Sequence, residues 1–183
     1  MRHIVPDILL LQQHLLALKV EAEKERYRYK YCPFCGAPGL WCHGHYDRKA
    51  VRNDTEEVAG TKNPIPIPRF FCPKCKKTCS SLPECIAPQR WYLWSVQQAA
   101  LMLILTGKSL AKIAKELKLG RHTVSRWIAR CKERFRLHYD VLCNHFAELG
   151  RTADFTEFWQ RCCNKIRLSR AMYLCNISGV NVP

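Results

Sequence analysis

The sequence predicts an α+β fold that is mostly α: a small four-cysteine ribbon, then a helix-turn-helix domain, then C-terminal helices. Two motifs of the form Cys-Pro-x-Cys, at residues 32–35 and 72–75, predict the ribbon. Apolar residues at helical spacing between residues 96 and 128 predict the helices. We place the boundaries at residues 1–30 for an amphipathic N-terminal helix, 31–88 for the ribbon, 89–137 for the helix-turn-helix and 138–183 for a C-terminal helical segment.

The charge of the chain indicates its class of partner. Its 183 residues include 30 Lys and Arg against 15 Asp and Glu, a formal net charge of +15. Such an excess attracts a polyanion, foremost nucleic acid, with an affinity that falls as salt rises. A solvated basic surface or an anionic lipid surface is the alternative.

The cysteines indicate a compartment. The first thirty residues lack the order of a signal peptide, and no apolar run approaches the ~20 residues of a membrane span. We therefore expect a cytoplasmic, nucleoid-associated protein with no membrane part. In that reducing setting, paired cysteines at this spacing are more often metal ligands than disulfides.

The N-terminal residues 7–25 place Ile8, Leu11, Leu15 and Leu18 on one helical stripe. This stripe predicts an amphipathic helix that packs on the protein's own core. A homodimer seam is the alternative, although the stripe is too short for a sustained heptad pattern.

The stretch between the two cysteine motifs predicts strands. Residues 65–71 alternate in a way that suits a strand, but prolines at 64, 66 and 68 cannot donate to a ladder, so we predict an edge strand or an extended arm. The polar segment 47–63 is predicted as a loop that joins two hairpins.

Four cysteines form the predicted metal site: Cys32, Cys35, Cys72 and Cys75. Four thiolates close a tetrahedral zinc shell with no open position, so the site holds structure and performs no chemistry. Iron also accepts four thiolates and is the minority alternative. Five further residues, Cys42, His43, His45, Cys79 and Cys85, could replace a ligand or build a second site. Their irregular spacing favours instead that Cys42 and Cys79 are small buried residues near the two motifs and that the histidines are exposed.

Residues 109–128, SLAKIAKELKLGRHTVSRWI, have the spacing of a helix-turn-helix. Ala114 is the small residue where the two helices cross, and Val124 and Ile128 hold the second helix against the first. One position departs from the usual pattern: Lys118 stands where such a turn normally has Gly, because a left-handed backbone is easy only for Gly.

The outward face of the second helix is the predicted DNA-reading surface. Arg126 is the first candidate for base recognition, since Arg can hold guanine with two hydrogen bonds. Between residues 108 and 136 ten basic residues oppose two acids. The predicted DNA-contacting residues are Lys108, Lys112, Lys115, Lys118, Arg121, His122, Thr123, Ser125, Arg126 and Arg130. A helical hairpin used only for protein contacts is the alternative.

Further on, apolar residues between 141 and 149 could prolong that helix or begin another. Three helix ends are predicted. Thr106-Gly107-Lys108 stops the helix before residue 109, and Ser109 can cap the next helix. Asp154 with Glu157 resembles a capping box that opens a later helix.

The order of these motifs resembles a known family. CPFCG, a basic strand, CPKC followed by KTCS, and a helix-turn-helix that ends in TVSRW resemble the N-terminal region of bacterial insertion-sequence transposases. The resemblance covers roughly residues 31–136. It implies that the ribbon and the helix-turn-helix bind double-stranded DNA at the terminal inverted repeats of the element. In the family, a catalytic domain with an acidic triad that holds two metal ions then follows.

That catalytic domain is not predicted in this chain. Two-metal chemistry needs several converging carboxylates, and none of the five Asp lies in a convincing strand after the helix-turn-helix. We therefore expect a non-enzymatic DNA-binding protein of a transposable element. It is either the DNA-binding part of a transposase or an accessory subunit that acts beside a separately encoded catalytic transposase subunit. A transcriptional regulator is one alternative. A DNA-nicking enzyme is another, with His43 and His45 on a divalent metal and Tyr46 as nucleophile.

Overall fold

A four-stranded sheet organises the first part of the chain, in the spatial order β1-β4-β3-β2. The strands are β1 His3–Val5, β2 Trp41–Arg48, β3 Ile65–Phe71 and β4 Thr78–Pro83. β3 pairs antiparallel with β2 and with β4, whereas β1 pairs parallel with β4. The structure is a computed structural model that describes residues 3–49, 64–88, 92–180 and 182. It divides into two units, Met1–Leu93 and Trp94–Pro183.

β3 lies between two strands, so the prediction of an edge strand or an arm for residues 65–71 is wrong. The structure shows why prolines are tolerated there. β4 pairs with β3 only through residues 69–71, beyond the prolines. The carbonyl oxygen of Pro66 accepts a hydrogen bond from His14 Nε2 at 2.8 Å. The N–H and C=O of a strand residue point to the same side. The side of Pro66 that lacks an N–H therefore faces the helix Leu11–Ala17, which contains His14, and no ladder bond is lost. Residues 50–63, most of the predicted loop, lie outside the described residues.

Two short helices and a 3₁₀ turn stand where one N-terminal helix was predicted. They are α1 Leu11–Ala17, α2 Glu21–Lys24 and the turn Glu25–Tyr27. The buried His14 ring bonds the Tyr27 hydroxyl at 2.6 Å, which requires the chain to fold back. In a continuous helix these two residues would lie about 20 Å apart along the axis. His14 itself lies within α1, and its bond to Tyr27 is incompatible with one continuous helix from His14 to Tyr27.

Two clusters of buried side chains form the core of the first unit. One surrounds the cysteine motifs: Val5, Ile8, Ala17, Tyr27, Cys32, Leu40, Phe70, Cys72 and Cys79. The other contains Leu11, Ile65, Ile67, Leu82, Cys85 and Ile86. Ile67 and Phe70 differ by an odd number of positions, so they lie on opposite faces of β3. Each sheet face therefore has its own cluster, and the cysteine motifs share the first.

The second unit is helical. Its helices are α3 Trp94–Leu105, α4 Leu110–Glu116, α5 Arg121–Glu133, α6 Phe135–His145, α7 Phe155–Lys165 and α8 Leu168–Ile177, with a 3₁₀ turn at Ala147–Arg151. α6 is a new helix and does not prolong α5. Asp154 caps α7 as predicted, because its Oδ1 accepts the N–H of Glu157 at 2.8 Å. None of the described helices has the length and hydropathy that crossing a bilayer requires.

The combination of helices with a small β-sheet is confirmed, and so is the capping of the helices that carry the basic segment. α3 ends in two bonds, from Gly107 N–H to Ile104 O at 3.0 Å and from Lys108 N–H to Leu103 O at 3.1 Å. This is a Schellman motif, and Gly107 supplies its left-handed residue with φ +83°. Ser109 then caps α4 by accepting the N–H of Lys112 at 3.4 Å.

Candidate metal centre and basic helix pair

The four predicted cysteines come together in the first unit. The Sγ atoms of Cys32, Cys35, Cys72 and Cys75 all lie within 4.8 Å of one another. Cys32 lies 3.6 Å from Cys75, and Cys35 lies 3.7 Å from Cys72, sulfur to sulfur. These distances are far longer than the ~2.05 Å of a disulfide. Among the residues described, no other group of His, Cys, Asp and Glu gathers its ligand atoms in this way.

Both cysteine motifs adopt the same backbone turn. In the first, the N–H of Cys32 donates to Ala37 O at 2.7 Å and that of Gly36 to Cys32 O at 2.9 Å. The second repeats both bonds at equivalent positions, from Cys72 to Lys77 and from Lys76 back to Cys72, each at 2.9 Å. Gly36 has φ +71° and Lys76 has φ +59°, so both turns need a left-handed residue after the second cysteine. The sequence repeat therefore corresponds to a repeat in structure.

The electrostatics of the cluster favour a thiolate at one sulfur. The backbone N–H of Cys75 donates toward the Cys72 sulfur and lowers the pKa of that thiol to about 6. Burial raises the pKa of Cys75 to about 12. A bound cation would hold all four sulfurs deprotonated, because its own charge dominates such a site. What the cluster offers chemically is a closed set of four soft ligands.

In the second unit, α4 and α5 form a pair joined by residues 117–120. The inner face of the pair contains Ile113, Ala114, Val124 and Ile128, all buried. The turn between them is closed by the N–H of Leu119, which donates to Ala114 O at 2.8 Å. Ala114, Val124 and Ile128, which were predicted to hold the two helices together, are thus buried between them.

Lys118 takes the left-handed conformation that its position in the turn predicts for Gly. Its φ is +51°, and its N–H donates to Lys115 O at 3.3 Å. Together with the Leu119 bond this completes a second Schellman motif. Gly120 instead precedes α5 with an ordinary φ of −70°.

Most of the predicted DNA-contacting side chains are exposed. Those exposed to solvent are Lys108, Lys112, Lys115, Lys118, Arg121, His122 and Arg126, while Ser125 and Arg130 are half-buried. Thr123 differs from the prediction, because it is buried at the start of α5. Lys108 forms an ion pair with Glu116 at 2.8 Å, so part of its charge is balanced within the protein.

Comparison with known proteins finds one family, DUF6431, a domain of unknown function, whose pattern matches residues 32–127. The chain belongs to the DUF6431 family. The matched range begins at the first ligand cysteine and ends within α5. No curated protein and no solved structure matches the chain.

The DUF6431 range also contains the cysteines and histidines that could have altered the metal site. The prediction that Cys42 is buried is wrong: Cys42 is exposed, and its sulfur accepts a bond from Arg28 Nη2 at 3.2 Å. Cys79 and Cys85 are buried in the two core clusters, where burial raises the pKa of Cys79 to about 11 and that of Cys85 to about 12. Neither joins the four ligand sulfurs.

A bulge in β2 separates the two histidines of the segment HGHY, residues 43–46. Cys42 pairs with Phe70 and His45 with Pro68, so two residues of β2 stand opposite one of β3. Gly44 permits this bulge with φ +67°. In a regular strand His43 and His45 would share a face, whereas the extra residue places them on opposite faces. The described structure therefore does not bring these histidines together as a metal-binding pair.

Sequence reasoning missed two structural residues in the DUF6431 range. Trp127 is 4% exposed and belongs to the inner face of α5, which its position three residues after Val124 could have indicated. Lys76 carries the left-handed turn of the second cysteine motif, and comparison with Gly36 in the first motif could have indicated it.

Proposed function

We propose that this protein binds double-stranded DNA through α4 and α5 as a helix-turn-helix, with α5 as the recognition helix. The observation that carries the proposal is the exposed, cationic outer surface of this pair, set against its buried apolar inner surface. A recognition helix reads base edges with its N-terminal residues, and α5 begins with Arg121 and His122, followed one turn later by Arg126.

The turn geometry supports the proposal. In a helix-turn-helix the first helix must end sharply so that the second can cross it. The Schellman motif at Lys118 ends α4 at Glu116, and α5 begins five residues later at Arg121. The buried Ala114, 8% exposed, leaves room for the close crossing of the two helices.

The charges divide into two roles. Arg126 projects from the exposed face of α5 and can hold guanine O6 and N7 with two hydrogen bonds. Lys112, Lys115 and Lys118 lie exposed on α4 and its turn, where they can contact phosphates and fix the register of the protein on the duplex. The ion pair with Glu116 makes Lys108 a weaker phosphate ligand than these three.

We further propose that the four cysteines bind structural zinc. A tetrahedron with Zn–S bonds of about 2.3 Å has sulfurs about 3.8 Å apart. The pairs Cys32–Cys75 and Cys35–Cys72, at 3.6 and 3.7 Å, agree with this edge length. Iron accepts the same ligands, but the β-strand setting between two hairpin-like turns favours a zinc ribbon over an iron site. Because four protein ligands leave no open position, the metal would hold the turns together and take no part in a reaction.

The biological role we propose is recognition of the ends of a transposable element, beside a separately encoded catalytic transposase subunit. This rests on the resemblance of the cysteine motifs and the helix pair to the N-terminal region of insertion-sequence transposases. A transcriptional regulator would use the same surface and is the second candidate. DNA nicking by His43, His45 and Tyr46 is disfavoured, because the bulge at Gly44 separates the two histidines.

The test is binding to duplex DNA. Selection from a random duplex library with the zinc-loaded protein gives an enriched sequence, against which Arg126→Ala and Lys112→Ala are compared with random duplex. Arg126→Ala should weaken binding to the enriched sequence by about 1–3 kcal/mol and relax its specificity at one base pair, while binding to random duplex stays unchanged. Lys112→Ala should weaken both duplexes alike and reduce the salt slope by about 1.

Lys19→Ala is the charge-matched control, because Lys19 is exposed in the first unit, outside the helix pair. Failure of the library to enrich any sequence, or equal losses for all three variants, would remove the proposal. Mapping the enriched sequence to inverted repeats favours the transposable-element role, and mapping it to a promoter favours the regulator.

A further inference from the structure

Aromatic side chains meet at one end of the β2–β3 pair, close to the second cysteine motif, where Trp41 and His43 are exposed and Phe71 is half-buried. Trp41 is 63% exposed, and its ring lies 6.3 Å from that of Phe71, centroid to centroid. The ring of the exposed His43, also on β2, lies 5.8 Å from the ring of Phe71 on β3, centroid to centroid. We call Trp41, His43, Arg69 and Phe71 the aromatic face.

The strand register explains why this face is open. Trp41 pairs with Phe71, and residues 65, 67, 69 and 71 of β3 share one side of the sheet. At one end of that side Ile65 and Ile67 are fully buried in the second core cluster. At the other end no described element covers Trp41, and His43, two positions after Trp41, lies on the same side as Phe71. The same sheet surface therefore passes from core to solvent along one strand.

The charge around the aromatic face is of one sign. From residue 64 to residue 83 the chain has four basic residues, Arg69, Lys74, Lys76 and Lys77, and no Asp or Glu. Arg69 belongs to the face itself, and its guanidinium is oriented by a bond from Nη2 to Thr78 Oγ1 at 3.2 Å. Lys77 lies over the exposed Phe34 ring at 5.3 Å, which adds a cation beside a further aromatic side chain.

We propose that the aromatic face binds unpaired nucleotides, with bases stacked on Trp41 and Phe71 and phosphates near Arg69. Open rings that alternate with cations are the features that bind single-stranded nucleic acid, because every base has a π face and every linkage has a negative charge. A duplex hides its base faces in the stack and cannot use these rings. A protein partner would use the rings but gains little from a surrounding segment with only positive charge. This second site is separate from duplex recognition by α5 and does not depend on it.

The test uses the full zinc-loaded chain and fluorescein-labelled probes of one length: a 12-nucleotide oligothymidylate, an abasic 12-unit sugar-phosphate strand and a 12-base-pair duplex. Anisotropy at low salt should show the oligothymidylate bound more tightly than the abasic strand, because only the former can stack. Trp41→Leu and Phe71→Leu should each weaken the oligothymidylate about tenfold and leave the duplex unchanged. Tyr31→Leu is the matched control, since Tyr31 is also 63% exposed but lies outside the aromatic face.

Metal content and circular dichroism establish that each variant is folded. If Trp41→Leu loses its metal, Phe71→Leu carries the test in its place, with the same expected loss of oligothymidylate binding. Equal affinity for the oligothymidylate and the abasic strand would overturn the proposal. So would unchanged oligothymidylate binding in Trp41→Leu, which would leave the face to a protein partner. Arg126→Ala should alter duplex binding alone, so failure of the two sites can be told apart.

Discussion

Lys118→Gly should stabilise the helical unit, although it replaces a residue of the proposed DNA-binding surface. Lys118 holds φ +51° within the Schellman motif that ends α4. A left-handed backbone costs an L-residue about 1–2 kcal/mol, whereas Gly loses about 0.5–1 kcal/mol more backbone entropy on folding. The difference is a net gain of about 0.5–1 kcal/mol, or a rise in Tm of about 2–6 °C for a unit of this size.

Lys112→Gly is the control with the opposite sign. Lys112 is equally exposed but lies inside α4, where Gly should cost about 0.7 kcal/mol relative to Lys. Urea unfolding followed by the helical signal at 222 nm measures the free energy of unfolding of both variants. If Lys118→Gly is destabilised to the same extent as Lys112→Gly, the left-handed turn is not present in solution and the reasoning fails.

Two further predictions concern the first unit. Cys72→Ser should abolish stoichiometric metal binding and unfold this unit, while α3 to α5 stay helical. Elemental analysis and circular dichroism measure the two effects. Complete loss of helix would show instead that the two units fold as one. Burial lowers the pKa of His14, which donates from Nε2 to Pro66 O and accepts from Tyr27 at Nδ1. The unfolded chain therefore binds a proton that the folded chain does not, so stability should be kept above pH ~6.5 and lost as the pH falls below it. Wild type should lose more unfolding free energy between pH 7 and 5.5 than His14→Gln, and equal losses would contradict the assignment.

Local patterns were sufficient to predict the four-cysteine cluster and the helix pair. Each cysteine motif is a five-residue turn whose geometry is set by its own backbone bonds, so Cys32 and Cys72 could be assigned from the sequence. Val124 and Ile128 are four residues apart, so they lie on one face of a helix, and this spacing depends only on residues within adjacent helical turns. Ser109 and Asp154 were predicted as helix caps for the same reason, because a cap depends on residues within one turn.

Long-range partners account for what the sequence did not predict. His14 occupies an apolar stripe, and only its bonds to Tyr27 and Pro66 explain why the stripe is not one helix. The central position of β3 depends on β4, which joins it beyond the prolines, and no property of residues 65–71 alone encodes that pairing. A helical wheel places Thr123 only at the edge of the outward face of α5. It is buried because of how α5 packs on its neighbours, which the wheel does not show.

The parallel pairing of β1 with β4 has a consequence for synthesis. His3 pairs with Ser81, so β1 has no partner until more than seventy further residues have been translated. At ~5–20 residues per second this delay lasts about 4–16 s, during which Ile4 and Val5, both fully buried in the finished sheet, remain available to chaperones and to other nascent chains. β1 is thus separated from its partner in time during synthesis, whereas β3 and β4 are made within a few residues of each other.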